Sequence, residues 1–269
     1  MKQSTDRMLA THIGSLPRPQ DLLDLMQARE EGKEFDQAAF DARVREAVAD
    51  VVRRQAGIGL DVVNDGEQGK LGFITYANER LSGFEPRPER SGRPHFGGSR
   101  EHQTFPDFYE QAPGAGAGPT FGFDHLVCTG PVSYVGHAQL QKDIDNLKAA
   151  LASVDVEEAF LPAVSPSNFE EWHKNRYYDT EEEYLFAIAD ALHEEYWAIV
   201  DAGFLLQVDD PNLSRTTTPT PARRSRSAAG GRSHGWTRST TRCATSPRTG
   251  SGSTRATGST SAPACTTWS

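Results

Sequence analysis

Residues 60–70 read Leu-Asp-Val-Val-Asn-Asp-Gly-Glu-Gln-Gly-Lys. Leu60–Asn64 is short, apolar and β-branched, as a buried strand is, and it runs straight into a polar turn. Just upstream, Phe40, Val44, Val48, Val51, Val52 and Gln55 recur with a 3.6-residue period. That spacing predicts an amphipathic helix over residues 36–56, ended by Gly57 and Gly59. Helix, strand and polar turn together form one unit of a parallel α/β fold.

The same grammar extends in both directions. Met8–Thr11 is an apolar run ending in the Gly/Pro-rich loop HIGSLPRP. Downstream, residues 124–129 read as a strand followed by GPVSY, and residues 139–152 as a helix. Ala159–Val164 reads as a strand ending in SPSN. Thr180 to Glu183 forms a capping box opening a helix to about Ala202, with Tyr184, Ile188, Leu192, Tyr196 and Ile199 on one face. Gly203 stops it, and Phe204–Val208 is a strand ending in Asp-Asp-Pro. Residues 85–120, rich in Pro, Gly and charge, read as an excursion from the fold, with a lid over a site as the alternative. Polar clusters after successive strands argue for a site at the C-terminal strand ends of a TIM-type (β/α)8 barrel. Only about five strands precede residue 213, so the expected barrel is incomplete, with one parallel edge uncovered.

Residues 214–269 break the pattern. They use nine residue types, with nine Arg and one His, and contain no acid, Lys, Leu, Ile, Val or Phe. Such a composition cannot build a core. A disordered basic tail, a nucleic-acid-binding arm and a cloning scar each account for it. A fourth account fits better. Every residue of the stretch except His234 has a codon with G or C in the middle position, as expected when a G+C-rich coding sequence is read out of frame. G+C-rich codon choices over Trp236–Thr260 permit DALNHALRDIPEDRVRVHTCYGIN in the displaced frame, which restores aliphatics, acids and a helical pattern. The expected division is therefore 1–213, the N-terminal part of a β/α barrel, and 214–269, an out-of-frame or disordered tail.

Charge narrows the partners. The chain carries −9 overall, but without the nine tail Arg the first 213 residues hold 19 basic and 37 acidic groups, near −18. So acidic a body argues against nucleic acid as a partner. No run of about 18 apolar residues is present and no membrane span is expected. Cys128 alone precedes the tail, which leaves no disulfide framework there and fits the cytoplasm.

Four clusters carry candidate chemistry: Thr11–Ser15, Asn64–Lys70, Thr129–Tyr134 and Gln207–Pro211. Backbone N–H groups in the HIGS stretch, His12–Ser15, can hold a carboxylate or another anion. Glu67 and Asp209 suit an ammonium group. The plainer alternatives are a polar turn at Asp-Gly-Glu and a helix N-cap at Asp-Asp-Pro.

Taken in order, THIGSLPRP, LDVVNDGEQGK with FITYANERLSGF, GPVSY, AFLPAVSP and DAGFLLQVDDPNL resemble the cobalamin-independent methionine synthase family, in its short single-barrel form. The likeness covers nearly all of residues 8–213. It implies a zinc-dependent enzyme of the 5-methyltetrahydropteroyltriglutamate–homocysteine S-methyltransferase type, passing a methyl group from a methylfolate donor to the homocysteine thiol. By the same resemblance Ile13, Gly14 and Ser15 hold the amino acid's carboxylate, Glu67 and Asp209 take its amino group, and His12 is a weaker candidate in the same loop. Where the family more often has Glu, this chain has Asp210. The family's zinc ligands begin with a His-x-Cys pair in later strands, and residues 1–213 supply no such set. Cys128 reads as core, and Cys243 and Cys265 lie in the tail. The displaced frame does contain His-Thr-Cys. As written, the chain is expected to be inactive and poorly able to fold. Alkyl transfer to another thiol such as coenzyme M, and a degenerate barrel with an Arg-rich nucleic-acid-binding tail, are the alternatives.

Overall fold

The computed structural model describes residues 1–86, 103–111, 126–210 and 265–267. Helix α1 (Gln20–Glu30) buries Leu22 and Met26, and α2 (Gln37–Gly57) follows. Asp36 caps α2 by accepting from the backbone N–H groups of Ala38 and Ala39 at 2.9 and 3.1 Å. The periodic stripe read from the sequence is the buried face of α2, together with Ala47. Its last member, Gln55, is 2% exposed and pairs with the next strand. Its amide donates to the Asn64 carbonyl at 2.8 Å and accepts from the Asn64 N–H at 3.2 Å. A buried amide satisfied on both sides fixes the helix end against strand β1 (Val62–Asn64).

Short helix α3 (Phe73–Asn78) leads into β2 (Leu81–Pro86), and α4 (Pro106–Gln111) stands in the excursion. Then come β3 (Leu126–Tyr134), α5 (His137–Leu151), β4 (Glu158–Val164) and α6 (Pro166–Trp172). Strand β5 (Lys174–Asn175), α7 (Glu181–Asp201), β6 (Leu205–Asp209) and β7 (Cys265–Thr267) complete the order. The capping box at the start of α7 forms as read, with Thr180 and Glu183 each bonding the other's backbone N–H at 3.1 and 3.2 Å. All five residues of the predicted α7 face are buried.

A parallel sheet runs β1-β4-β6-β7, and Thr11 adds a single parallel bridge to Val62. The register sets Asn64 opposite Phe160 and Val164 opposite Asp209, so the polar turns that follow β1, β4 and β6 emerge at one end of the sheet. That is the end expected for the site.

The expected succession of strands needs one correction. Residues 126–134 form a single strand, so GPVSY continues the chain in extended form instead of following a strand end. Strand β3 joins β2 (antiparallel) and β5 (parallel) in a separate three-stranded sheet. Pro131 is accommodated because the β2/β3 register slips between Ser82 and Phe84, where Gly83 takes φ +93°. Among the described residues six strands thus precede residue 210, of which β1, β4 and β6 share the parallel sheet. Among the described residues that sheet is open. Strand β7 lies along the β6 edge, pairing Leu206 with Cys265. The rest of the tail, and most of the 85–120 excursion, lie outside the described residues.

One buried network crosses the layers. Arg80, 1% exposed, pairs with Asp143 of α5 at 2.7 Å and Glu195 of α7 at 3.2 Å, and its guanidinium stacks 3.6 Å from the Tyr76 ring centre. Tyr76 donates to Asp143 at 2.9 Å, and Tyr134 of β3 donates to Glu195 at 2.8 Å. Burial opposes the charge on Arg80, but the facing Tyr76, Glu195 and Asp143 outweigh it and hold the guanidinium protonated.

Candidate functional site

The turn after β1 is built from its own side chains. Asn64 Oδ1 accepts from the Gly66 N–H at 2.7 Å and Asp65 Oδ1 from the Glu67 N–H at 3.0 Å. These two local bonds wind the chain into a left-handed pair, Gly66 at φ 60° and Glu67 at φ 56°. Glu67 is the one residue other than glycine with positive φ among the described residues. A strained backbone at a candidate binding residue points to function rather than to packing.

The HIGSLPRP loop is fastened to this turn. Asn64 Nδ2 donates to the His12 carbonyl at 2.8 Å, and the Leu16 N–H to the Gly66 carbonyl at 3.0 Å. Gln68 Nε2 reaches the Leu16 carbonyl at 3.0 Å. Arg18 Nη2 donates to the carbonyls of Glu67 and Lys70 at 2.8 and 2.7 Å. Desolvation is the largest influence on Arg18 and lowers its pKa, with Glu67 and Asp65 opposing. At the centre, Ser15 Oγ donates to Glu67 Oε2 at 2.5 Å. Glu67 is 6% exposed, whereas Ile13 in the facing loop is 49% exposed. Gly14 has φ +86° with no atom near the position of a Cβ, so its backbone faces open space. His12 Nε2 is buried without a hydrogen-bond partner among the described residues.

Asp209 arrives from the end of β6. Its carbonyl accepts from the Ser165 N–H at 3.1 Å, and its Oδ1 accepts from Gln207 Nε2 at 2.7 Å. Burial raises the pKa of its carboxyl, the Gln207 bond lowers it, Glu67 raises it and Lys70 lowers it. Asp209 therefore lies within the electrostatic reach of the β1 turn. Asp210 accepts from Ser167 Oγ at 2.9 Å, while its other oxygen is buried without a partner among the described residues.

Three of the four sequence clusters thus converge: the His12–Ser15 loop, the turn carrying Glu67, and the end of β6. Thr129–Tyr134 does not join them, because it forms part of the second sheet. Lys70, part of the Asn64–Lys70 cluster but given no role of its own in the sequence, acts on Asp209 among them. Its clue was its place inside the DGEQGK turn. The arrangement offers exposed backbone at Ile13–Gly14 beside one buried acid, Glu67, and one half-buried acid, Asp209, a polarity suited to a zwitterion.

No group of three or more His, Cys, Asp and Glu side chains among the described residues is placed to hold a metal. Cys128 is 0% exposed, its thiol donates to the Gly130 carbonyl at 3.3 Å, and burial raises its pKa. It behaves as a core residue, and these residues do not fit a zinc centre. No helix is long and apolar enough to cross a membrane, among the described residues.

Residues 8–90 match the family profile described as the catalytic domain of cobalamin-independent synthase. The chain is 27% identical over 204 residues to a methionine synthase of Sulfolobus acidocaldarius, covering 76% of this chain and 51% of that protein. It is 24% identical over 215 residues to a methionine synthase of Thermococcus kodakarensis, with 75% and 51% covered. Among solved structures, a B12-independent methionine synthase from a Shewanella species, in complex with selenomethionine, matches with a TM-score of 0.53 at 19% identity, over 75% of this chain and 51% of that one. A putative vitamin-B12-independent methionine synthase from Listeria monocytogenes gives 0.55 at 20%, over 80% and 57%. The structural matches speak for the fold. Together the comparisons bear out the resemblance to the cobalamin-independent methionine synthase family. The chain spans about half the length of the relatives it matches.

Proposed function

We propose that this chain carries the amino-acid-binding part of a methyltransferase of the cobalamin-independent methionine synthase type. It takes the α-amino-acid end of a homocysteine- or methionine-like ligand. Backbone N–H groups of Ile13, Gly14 and Ser15 face the carboxylate, with His12 beside them, and Glu67 and Asp209 receive the ammonium. One observation carries the reading: the 2.5 Å bond from Ser15 to Glu67, which joins the carboxylate side of the site to its ammonium side. The selenomethionine bound by the Shewanella protein is a ligand of this class.

The reaction served is methyl transfer from a methylfolate donor to the homocysteine thiol, in the cytoplasm; coenzyme M is the alternative acceptor. Zinc, where such an enzyme holds it, would lower the pKa of the substrate thiol and make the thiolate available at neutral pH. The described residues do not fit it, and the part played by this chain is restricted to gripping the amino acid. We read residues 214–269 as an out-of-frame continuation, so that the chain as written binds without turning over. Sequencing the coding DNA across codons 205–240 tests this, and A+T-rich wobble positions upstream would refute it.

Calorimetric titration of the 269-residue chain with L-methionine tests the binding step. Binding is expected for L-methionine and its loss for N-acetyl-L-methionine, which has no ammonium. Because charge-assisted hydrogen bonds contribute about 1.5–3 kcal/mol, Glu67→Gln should weaken binding roughly 10- to 150-fold. Equal binding of the acetylated ligand, or an unchanged affinity in Glu67→Gln, refutes the assignment.

A further inference from the structure

Lysine is almost never fully buried unless it is paired, yet Lys70 is 3% exposed. Its ammonium has three N–H bonds, and the one hydrogen-bond acceptor it reaches among the described residues is the Pro162 carbonyl of β4, at 3.3 Å. The nearest paired carboxylate oxygen, on Asp65, is 3.8 Å away, and the Tyr76 ring centre is 4.7 Å away. This is not a close salt bridge. It is a cation standing in a field of acids, favourable to the charges of Asp209 and of Asp143 alike.

The backbone holds the cation there. The Lys70 N–H donates to the Glu67 carbonyl at 3.1 Å, closing the turn, and the Lys70 carbonyl is held by Arg18. Side chain and main chain together tie the turn after β1 to the middle of β4, the strand next to β6.

We propose that Lys70 is a positioning residue: a buried cation, held between the β1 turn and the β4 main chain, that favours the Asp209 carboxylate over its acid before a ligand's ammonium arrives. This rests on reading Glu67 and Asp209 as an ammonium-binding pair. Without a resident cation, two acids sharing a partly dry site favour protonation of one of them. A half-protonated pair receives an ammonium poorly. Lys70 is buried and bonds to the β4 main chain, so it contributes charge from within the fold.

Among the described residues, the charged groups acting on Asp209 are Glu67 and Lys70 of the β1 turn, with Gln207 of β6 bonded to its carboxylate and the Ser165 N–H to its carbonyl. Ser15 and Arg18 of the first loop act through Glu67. Titration of the Asp209 carboxyl by carbon-13 NMR in the ligand-free full chain, assigned with Asp209→Asn, isolates the effect. Removing a cation raises an acid's midpoint, so Lys70→Met should move the Asp209 midpoint up by more than about half a pH unit, and Lys70→Arg should leave it within about half a unit. Methionine affinity in Lys70→Met should then fall most at the acid end of the pH range and recover as the pH rises, a pH profile that a purely structural role would not produce. Should Lys70→Met fail to fold, Asp65→Asn/Lys70→Met removes the opposite charge with it and carries the same test. An unmoved Asp209 midpoint in a folded variant overturns the proposal, as does an Asp209 already protonated at pH 7.5 in the unmodified chain. If the unmodified chain takes no methionine, the functional reading fails, while the ligand-free titration still judges Lys70.

Discussion

Replacing Arg80 by Leu removes the cation shared by a buried acid, Glu195, and a half-buried one, Asp143. Its guanidinium stands 2.7 Å from Asp143 and 3.2 Å from Glu195, and over the Tyr76 ring at 3.6 Å. Breaking one buried ion pair from one side costs about 3–5 kcal/mol, because the remaining charge stays buried without a partner. Glu195 is left buried, while Asp143 is half-buried and keeps its Tyr76 bond, so the whole of that range applies, about 3–5 kcal/mol. Against a total stability of about 5–15 kcal/mol for a native domain, the variant sits close to unfolding. Urea denaturation followed by circular dichroism measures the loss. It should shrink as the pH is lowered. The Asp143 carboxyl is already raised by burial, and Arg80 is the foremost group restraining it. Without Arg80 its folded-state pKa rises further, and a raised acid costs stability in full above that pKa and progressively less as pH falls through it. Between pH 8 and pH 5 the deficit of Arg80→Leu should therefore narrow, and Arg80→Met combined with Asp143→Asn and Glu195→Gln should recover most of it. A loss below about 1 kcal/mol, the scale of an exposed pair, or a deficit independent of pH, refutes the network as a structural keystone.

Two further substitutions probe the scaffold. Thr180→Ala removes half of the α7 capping box and should cost about 0.5–2 kcal/mol in the same denaturation assay, with helix content unchanged at low urea. Gly83→Ala would place a Cβ 2.6 Å from the Pro131 carbonyl oxygen on a backbone at φ +93°, so β2 and β3 must separate or the bulge must reorganise. A loss of at least about 1–3 kcal/mol is expected, as for other residues forced into strained backbone, and a neutral effect would contradict the bulge geometry.

The elements legible in the sequence were those whose buried faces repeat. Helices α2 and α7 each bury seven or more residues along a stripe, and both ends came out within a residue or two. Helix α1 buries only Leu22 and Met26 and has no side-chain cap, too thin a pattern to separate from the Pro-rich loop before it. Strand β3 was cut short in the reading because Gly130-Pro131 carries a turn signal, and the register slip that allows it belongs to β2, more than forty residues earlier. In the site, residue types suggested Glu67 and Asp209, and their convergence came from strand register. Lys70 and Arg80 stayed hidden for one physical reason: charged side chains are read as surface unless their partners are known. Those partners come from other elements, at separations that no local pattern encodes.

Arg18 makes the HIGSLPRP loop and the DGEQGK turn one portable piece. Its guanidinium closes on main-chain carbonyls of the turn, not on side chains, so it is indifferent to the residues found at those two positions. The acids of the turn can be exchanged to suit another ligand while the clasp persists. Grafted onto another parallel sheet, the turn would need its loop to travel with it.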